Sequence, residues 1–390
     1  MPPTLPSLQP GTPAPWFVAR SASNIRLTFG NIAGRYIVVC FFGSAADPAA
    51  RRVLDDVLQN RQVFDDESVS FFGISVDPED EQSGRIQEVL PGFHLLWDFD
   101  HIVSRLYSAS CDVESVGIYV ASTADTSESD TFAQTDSSKY RMFSLVLDER
   151  LRVIARLPID NRPEEHVPQL LEILGRLPPI APELPAHVPA PILIVPRVFE
   201  KEFCRTLISY YEEHGGKDSG FVHDVNGKTV FVSNHKLKRR EDREISDERL
   251  IRECVARISE RLLPEIFKAF QFLATQNERF LIACYEADKG GHFQPHRDNT
   301  TKGTAHRRFA VSLVLNANEF EGGKLRFPEF GRQTYSPPTG GAVVFSCSLL
   351  HEATPVTKGK RYVFLPFLYD DAAAQIRAQN VAFIQKPTAP

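Results

Sequence analysis

The hydrophobic pattern changes character half-way along the chain. Residues 35–42 (RYIVVCFF) form a continuous apolar run, the signature of a strand covered on both faces. Residues 69–76 (VSFFGISV) repeat that pattern and close on Asp77-Pro78. Between them, residues 48–64 place Val53, Leu54, Val57 and Leu58 at helical spacing. Residues 143–148 and 153–156 read as a hairpin, and residues 168–177 as a closing helix. Strands alternating with helices predict an α/β sheet. A Ser/Thr/Asp-rich tract between positions 119 and 139 predicts a surface insertion.

The second half opens with a short apolar strand at 192–195 and a helix over 200–214. A charged stretch at 217–244 follows, then one long amphipathic helix over 247–273. From residue 280 the pattern shifts to short strands between Gly and Pro turns, at 280–285, 308–315, 324–327, 341–346 and 361–369. That spacing predicts a β-sandwich or jelly roll with helices packed outside. Six prolines crowd the stretch PPIAPELPAHVPAP. Proline fixes φ and removes an amide donor, so this stretch neither continues a helix nor sits inside a sheet. The predicted domains are 1–177 and 192–390, with 178–191 as a semi-rigid linker.

Composition narrows the function classes. A chain of 390 residues, 42% hydrophobic and 24% charged, is that of a globular protein of two or three domains. A net charge of −6 argues against a broad nucleic-acid surface. The longest apolar runs are strand-sized, so no membrane span is expected, and Met1-Pro2-Pro3 begins no secretory signal. The cysteines stand at 40, 111, 204, 254, 284 and 347 without any CxxC pair. This predicts a reducing, cytoplasmic setting and argues against a structural zinc site.

The strongest chemical signal is His296-Arg-Asp298 followed by His351. Residues i and i+2 of an extended strand share a face, so His296 and Asp298 can meet one metal, and the strand at 341–346 can return His351 to it. Two imidazoles and a carboxylate form a facial triad that leaves positions open, which suits Fe(II) and O2. A zinc hydrolase uses the same ligand types but needs a general base and a tetrahedral site. An HxD by itself is a weak signal. Ten residues after His351 stands Arg361, opening an apolar strand. A guanidinium there needs a carboxylate, and a ligand acid can supply it bidentately. Tyr285, eleven residues before His296, can add a hydroxyl to that carboxylate. His292 and His306 flank the triad and read as surface or supporting residues rather than ligands.

The stretches CYEADKGGHFQPHRDN, FEGGKLRFPEFG and GGAVVFSCSLLHEATPVTKGKRY resemble the Fe(II)/2-oxoglutarate dioxygenases, most closely the prolyl 4-hydroxylase-like branch, over residues 191–371. The resemblance implies a double-stranded β-helix. It implies hydroxylation of a C–H bond with conversion of 2-oxoglutarate to succinate and CO2, and ascorbate as a reductant. Carried over, His296, Asp298 and His351 match the iron ligands, while Arg361 and Tyr285 match the residues that hold 2-oxoglutarate. The substrate, whether peptide, protein or small molecule, is not read from the sequence. The segment 217–244, with Lys236-Leu-Lys-Arg-Arg240, falls where the family places a mobile lid. It reads either as a steering surface for an acidic substrate or as a solvated loop of mixed charge.

The first half resembles the peroxiredoxin branch of the thioredoxin fold over residues 8–176, through GTPAPWF, Phe41-Phe42, Val76-Asp77, WDFD and Arg141-Met-Phe-Ser. That family needs a thiolate at a helix N-terminus. Here Ala50 or Arg51 stands at the position, and Cys40 lies upstream inside the apolar strand. Arg141 matches an arginine that would support a thiolate. The domain therefore reads as a peroxiredoxin scaffold without its nucleophile, left with a binding, dimerising or positioning role. The competing readings are a non-enzymatic iron and 2-oxoglutarate sensor, and a thiol peroxidase using Cys40 or Cys111.

Overall fold

A computed structural model describes residues 8–110, 140–180, 189–225 and 228–383. The chain divides into one unit of residues 1–183 and another of residues 184–390. The first unit begins with β1 (Val18–Ser21), β2 (Leu27–Thr28), β3 (Tyr36–Gly43) and α1 (Pro48–Gln59). It continues through β4 (Val69–Ser75), α2 (Pro78–Gln82), β5 (Phe93–Trp97) and α3 (Ile102–Leu106). It ends with β6 (Phe143–Leu147), β7 (Val153–Pro158) and α4 (Pro163–Gly175). The sheet order is β2-β1-β5-β4-β3-β6-β7. Its three central strands are parallel, and the β6–β7 hairpin pairs antiparallel on β3.

Strand β3 is buried along its whole length, as its apolar run predicts. Val38, Cys40 and Phe42 face α1 and α4 in one core, whereas Ile37, Val39 and Phe41 pack on Phe29 and Tyr107 in the other. Each fully buried side chain of this size contributes roughly 1.5–3 kcal/mol. Helix α1 starts where Asp47 accepts hydrogen bonds from the amides of Ala49 and Ala50, with Pro48 in its first turn. It ends at Gln59, short of the predicted 64, because the chain tightens into a 3-10 turn at Arg61–Val63. Helix α4 starts earlier than predicted: Pro163 occupies its first turn and Pro168 lies inside it. The Ser/Thr/Asp-rich tract and Cys111 lie outside the described residues.

The second unit opens with β8 (Ile192–Val195), α5 (Lys201–His214) and β9 (Lys217–Asp218). The hairpin β10 (Phe221–Val225) and β11 (Lys228–Val232) follows, then β12 (Lys238–Arg239) and β13 (Glu241–Glu244). Two helices, α6 (Glu248–Arg261) and α7 (Leu263–Phe270), replace the single helix predicted over 247–273. Pro264 in the first turn of α7 forces the break, since it lacks the amide that would continue α6. Next come β14 (Gln276–Glu278), β15 (Leu281–Glu286), β16 (His292–His296) and β17 (Phe309–Val314). Strands β18 (Phe320–Gly322), β19 (Leu325–Arg326), β20 (Thr334–Tyr335) and β21 (Ala342–Ser346) follow. The unit closes with β22 (His351–Ala353), β23 (Val356–Phe364), β24 (Phe367–Tyr369) and α8 (Asp371–Asn380). The single strand predicted at 361–369 is thus two, separated at Leu365-Pro366.

These strands build two antiparallel sheets. The larger runs β14-β24-β17-β23-β15-β13-β9, with β21 and β8 extending it from β17. The smaller runs β12-β16-β22-β19-β20. Side chains alternate across the larger sheet. Ile282, Cys284, Val311, Leu313, Tyr362 and Phe364 pack against Phe203, Leu207, Cys254 and Ile258 of α5 and α6. The alternate residues Ala283, Tyr285, Val314 and Val363 face the smaller sheet and meet Ala353. This sandwich with outer helices is the predicted jelly roll. No helix among the described residues is long and apolar enough to cross a membrane.

Candidate metal centre

The triad forms where β16 meets β22. His296 and His351 are directly opposed across that antiparallel pair. Asp298 lies beyond the end of β16, so a shared strand face does not place it. Its backbone amide donates to the Cys347 carbonyl at 3.0 Å, which ties it to the turn between β21 and β22. One ligand atom from each of the three residues lies within 4.8 Å of the others. The Asp298 carboxylate stands 3.6 Å from His296 Nε2 and 3.3 Å from His351 Nε2.

The donor set fits a divalent metal. His296 Nδ1 lies 2.8 Å from the Gln294 carbonyl, and His351 Nδ1 lies 3.0 Å from the Leu349 carbonyl. A carbonyl only accepts, so each Nδ1 carries a proton and each Nε2 is turned toward Asp298, the atom left to meet a metal. Burial, aided by His351, pushes the His296 imidazole down to about 3, so it is neutral and able to ligate at neutral pH. Burial opposes the Asp298 charge, but His351 and His296 outweigh it and hold the carboxyl below its ordinary range. Cis ligands about 2.1 Å from a metal stand about 3 Å apart, close to the spacing seen here.

A cleft of about 570 Å³ opens on this triad, and Tyr285, Ser312 and Arg361 line it. Tyr285 and Arg361 are register partners on β15 and β23. Arg361 is 3% exposed. Its guanidinium donates to Ser312 Oγ at 3.2 Å and lies 5.1 Å from the centre of the Tyr285 ring. No carboxylate pairs with it among the described residues. Burial lowers it from its ordinary value, Tyr285 opposes that fall and Arg240 adds to it. Gly323 lets this side chain pass: a Cβ there would stand 2.8 Å from Arg361 Cδ, at a φ of +57°.

Sequence reasoning missed several residues of the cleft wall. The stretch 217–244 is neither a loop nor uniformly solvated. It forms β9 to β13, and its Lys238 and Arg240 are buried. Arg240 grips Asp242 through Nε and Nη2, each at 2.6 Å, and donates to the Tyr285 hydroxyl at 3.3 Å. Burial opposes the Arg240 charge, yet Asp242 holds it above its ordinary value. The spacing 238, 240, 242 was the available signal, since an extended chain puts those three on one side. Behind the triad, Glu278 receives Arg307 at 2.6 Å and His306 at 2.8 Å. His306 is thus a supporting residue. His292 contacts the Gly290 and Lys236 carbonyls and ties β16 to the wall, away from the metal point.

In the first unit, Ala50 is buried in the first turn of α1 and Arg51 is exposed beside Asp55. The α1 N-terminus faces the Asp47 carboxylate instead of a thiolate. Cys40 is fully buried, and burial pushes its thiol up to about 12. Arg141 is exposed.

Comparison with known proteins bears on both units. Residues 280–369 match the 2OG-Fe(II) oxygenase superfamily. The second unit carries a 2OG-Fe(II) oxygenase domain. Residues 10–123 match the AhpC/TSA family, so the first unit is the thioredoxin-like domain of that family. The oxygenase domain is 28% identical over 120 residues to procollagen-lysine,2-oxoglutarate 5-dioxygenase 1 of Rattus norvegicus, a match covering 30% of this chain and 15% of that protein. It is 28% identical over 183 residues to a PKHD-type hydroxylase of Pseudomonas fluorescens, covering 44% of this chain and 75% of that one. A solved prolyl hydroxylase from Trichoplax adhaerens superposes with a TM-score of 0.36 at 18% identity, over 48% of this chain and 86% of that one. The oxygenase family implies Fe(II), 2-oxoglutarate and O2.

Proposed function

We propose that the chain is an Fe(II)- and 2-oxoglutarate-dependent dioxygenase that hydroxylates a C–H bond of a peptide, protein or small-molecule substrate. The observation that carries this is the triad itself: two imidazoles, each oriented by a backbone carbonyl, and a carboxylate meet at one point of an open cleft. His296, Asp298 and His351 would hold the iron. When bound, Fe(II) supplies the redox chemistry by which R–H, O2 and 2-oxoglutarate become R–OH, succinate and CO2.

The chain's own residues supply the rest. Arg361 offers a buried guanidinium with no carboxylate partner among the described residues, suited to the far carboxylate of 2-oxoglutarate. The hydroxyls of Tyr285 and Ser312 stand beside it to donate to the same carboxylate. The Arg240–Asp242 pair holds the Tyr285 hydroxyl in place. A cosubstrate anchored at Arg361 presents its 2-oxo acid end to the triad. Ascorbate is the reductant this reading assigns. Buried thiols at Cys40, Cys204, Cys254, Cys284 and Cys347 suit the reducing, cytoplasmic setting it also assigns. The buried, high-pKa Cys40 speaks against a thiol peroxidase at that residue.

The test is 2-oxoglutarate turnover by the full chain with Fe(II) and ascorbate, screened against peptides and small molecules. Succinate formation that needs Fe(II) and vanishes in His296→Ala supports the reading. Tight 2-oxoglutarate binding without turnover under every condition makes the protein a sensor instead.

A further inference from the structure

The cleft holds more positive charge than its own carboxylates and 2-oxoglutarate account for. Arg240 is neutralised by Asp242, Arg307 by Glu278 and Arg297 by Glu329. In the reading above, 2-oxoglutarate brings two carboxylates, one for Arg361 and one for the metal. Besides the exposed Lys217, the cations Lys238 and Arg279 line the cleft and form no ion pair among the described residues.

Both are built into place. Lys238 is 5% exposed. Its ammonium donates to Ser219 Oγ at 2.8 Å and to the Gly220 carbonyl at 2.6 Å, both neutral, and lies 5.0 Å from the centre of the Phe293 ring. An ammonium has three donors, so one remains for the cleft. Burial drives Lys238 well below its ordinary value; Arg240 and Arg279 push it the same way, while Asp242 and Asp298 oppose them. Arg279 has a φ of +59°, a left-handed backbone rare for a residue with a side chain. Such strain persists where the surrounding structure imposes it, often at a ligand site. Its guanidinium lies 4.5 Å from the centre of the Phe367 ring, and its Nε donates to the Leu365 carbonyl at 3.3 Å, with no other hydrogen bond among the described residues. Its neighbour Glu278 is already taken by Arg307 and His306. Lys238, Arg279 and Asp298 line the same cleft. An arriving anion would favour the ammonium form of Lys238 and pair with the Arg279 guanidinium.

We propose that the substrate carries an oxyanion, a carboxylate or a phosphate monoester, that docks between the Arg279 guanidinium and the Lys238 ammonium. This rests on the dioxygenase reading and specifies its substrate class. The oxyanion orients the substrate so that a C–H bond near it lies over the triad.

The test uses the full chain saturated with Mn(II) and 2-oxoglutarate, which fill the triad and the Arg361 pocket. Three mixed-sequence heptapeptide libraries differ only in a fixed central Glu, phosphoserine or Gln. A small-probe trio is phenylacetate, phenyl phosphate and phenylacetamide. Retention is read by mass spectrometry. At least ten-fold preference for an anionic member of either set over its neutral partner supports the proposal, and the preferred member names the oxyanion. Arg279→Gln and Lys238→Gln should each abolish that preference, while Arg279→Lys and Lys238→Arg retain part of it in proteins with wild-type circular dichroism. Equal retention within both sets overturns the proposal. So does a preference that survives in both glutamine variants, or an Arg279→Gln variant that loses 2-oxoglutarate while keeping the preference. Wild-type protein that binds neither Mn(II) nor 2-oxoglutarate defeats the dioxygenase reading instead, and the library comparison then still reads the anion site by itself.

Discussion

Replacing Arg361 by Met should strengthen the free protein and abolish its response to 2-oxoglutarate. In the free chain the Arg361 guanidinium is 3% exposed, donates to the neutral Ser312 hydroxyl and meets no carboxylate among the described residues. Exchanging buried charge for apolar volume of similar size is neutral or stabilising by about 1–4 kcal/mol. For a unit this large, each kcal/mol moves the melting temperature by about 2–4 °C. The ligand-bound state responds in the opposite sense. Truncating one member of a buried, hydrogen-bonded charge pair costs about 2–5 kcal/mol. At about 1.4 kcal/mol per decade, the 2-oxoglutarate Kd rises about 30- to 4,000-fold. At 100 times the wild-type Kd, the ligand stabilises wild type by about 2.7 kcal/mol, a shift of about 5–11 °C. In Arg361→Met the same concentration contributes under about 1 kcal/mol. Thermal melting with and without 2-oxoglutarate, in the presence of Mn(II), reads both signs, and calorimetry gives Kd directly. A variant that melts well below wild type yet keeps the full ligand shift refutes the assignment of Arg361, because its charge would then be structural and not reserved for a ligand.

Other expectations follow from the same geometry. Asp298→Ala removes the one anionic ligand and should weaken Mn(II) binding beyond the 10–100-fold typical of losing an outer partner, read by metal titration. Gly323→Ala, at φ +57° and with Cβ 2.8 Å from Arg361 Cδ, should raise the 2-oxoglutarate KM while Mn(II) affinity holds. Burial opposes the Glu200 charge, but Arg261 and Arg257 outweigh it and lower the carboxyl to about 2 from an ordinary value of 4.5. A depressed acid stabilises the fold above its unfolded value and loses that contribution as pH falls. The stability gap between wild type and Glu200→Gln should therefore be full above pH 4.5 and close between 4.5 and 2, read by urea unfolding across pH. Cys40 should resist iodoacetamide in the native protein at pH 8, and Cys40→Ala should leave peroxide consumption unchanged.

Much of the oxygenase unit was legible from local pattern. The alternation of β15 already separates Tyr285 from its helix-facing neighbours, and the order His296, Asp298, His351, Arg361 is set by spacing alone. The first unit's buried strands were equally plain, because a run such as YIVVCFF is stable only when both faces are covered. Prolines were the weaker guide. Pro168 reads as a helix start but sits inside α4, and Pro264 splits what reads as one helix.

The charged wall shows where local pattern stops. LKRRED looks like a solvated segment, since Lys and Arg are rarely buried. In the fold, β12 pairs with β16 of the smaller sheet while β13 pairs with β15 of the larger one. Residues 238–243 therefore cross from one sheet to the other along the edge of the cleft, and Lys238 and Arg240 have nowhere to point but inward. Asp298 is set the same way, by a hydrogen bond to Cys347. The sequence by itself determined two units and the residue types of a metal centre, because periodicity and spacing are local. Tertiary structure decided which cations are buried, which are paired and which are left for a ligand, because each partner arrives from a strand tens of residues away.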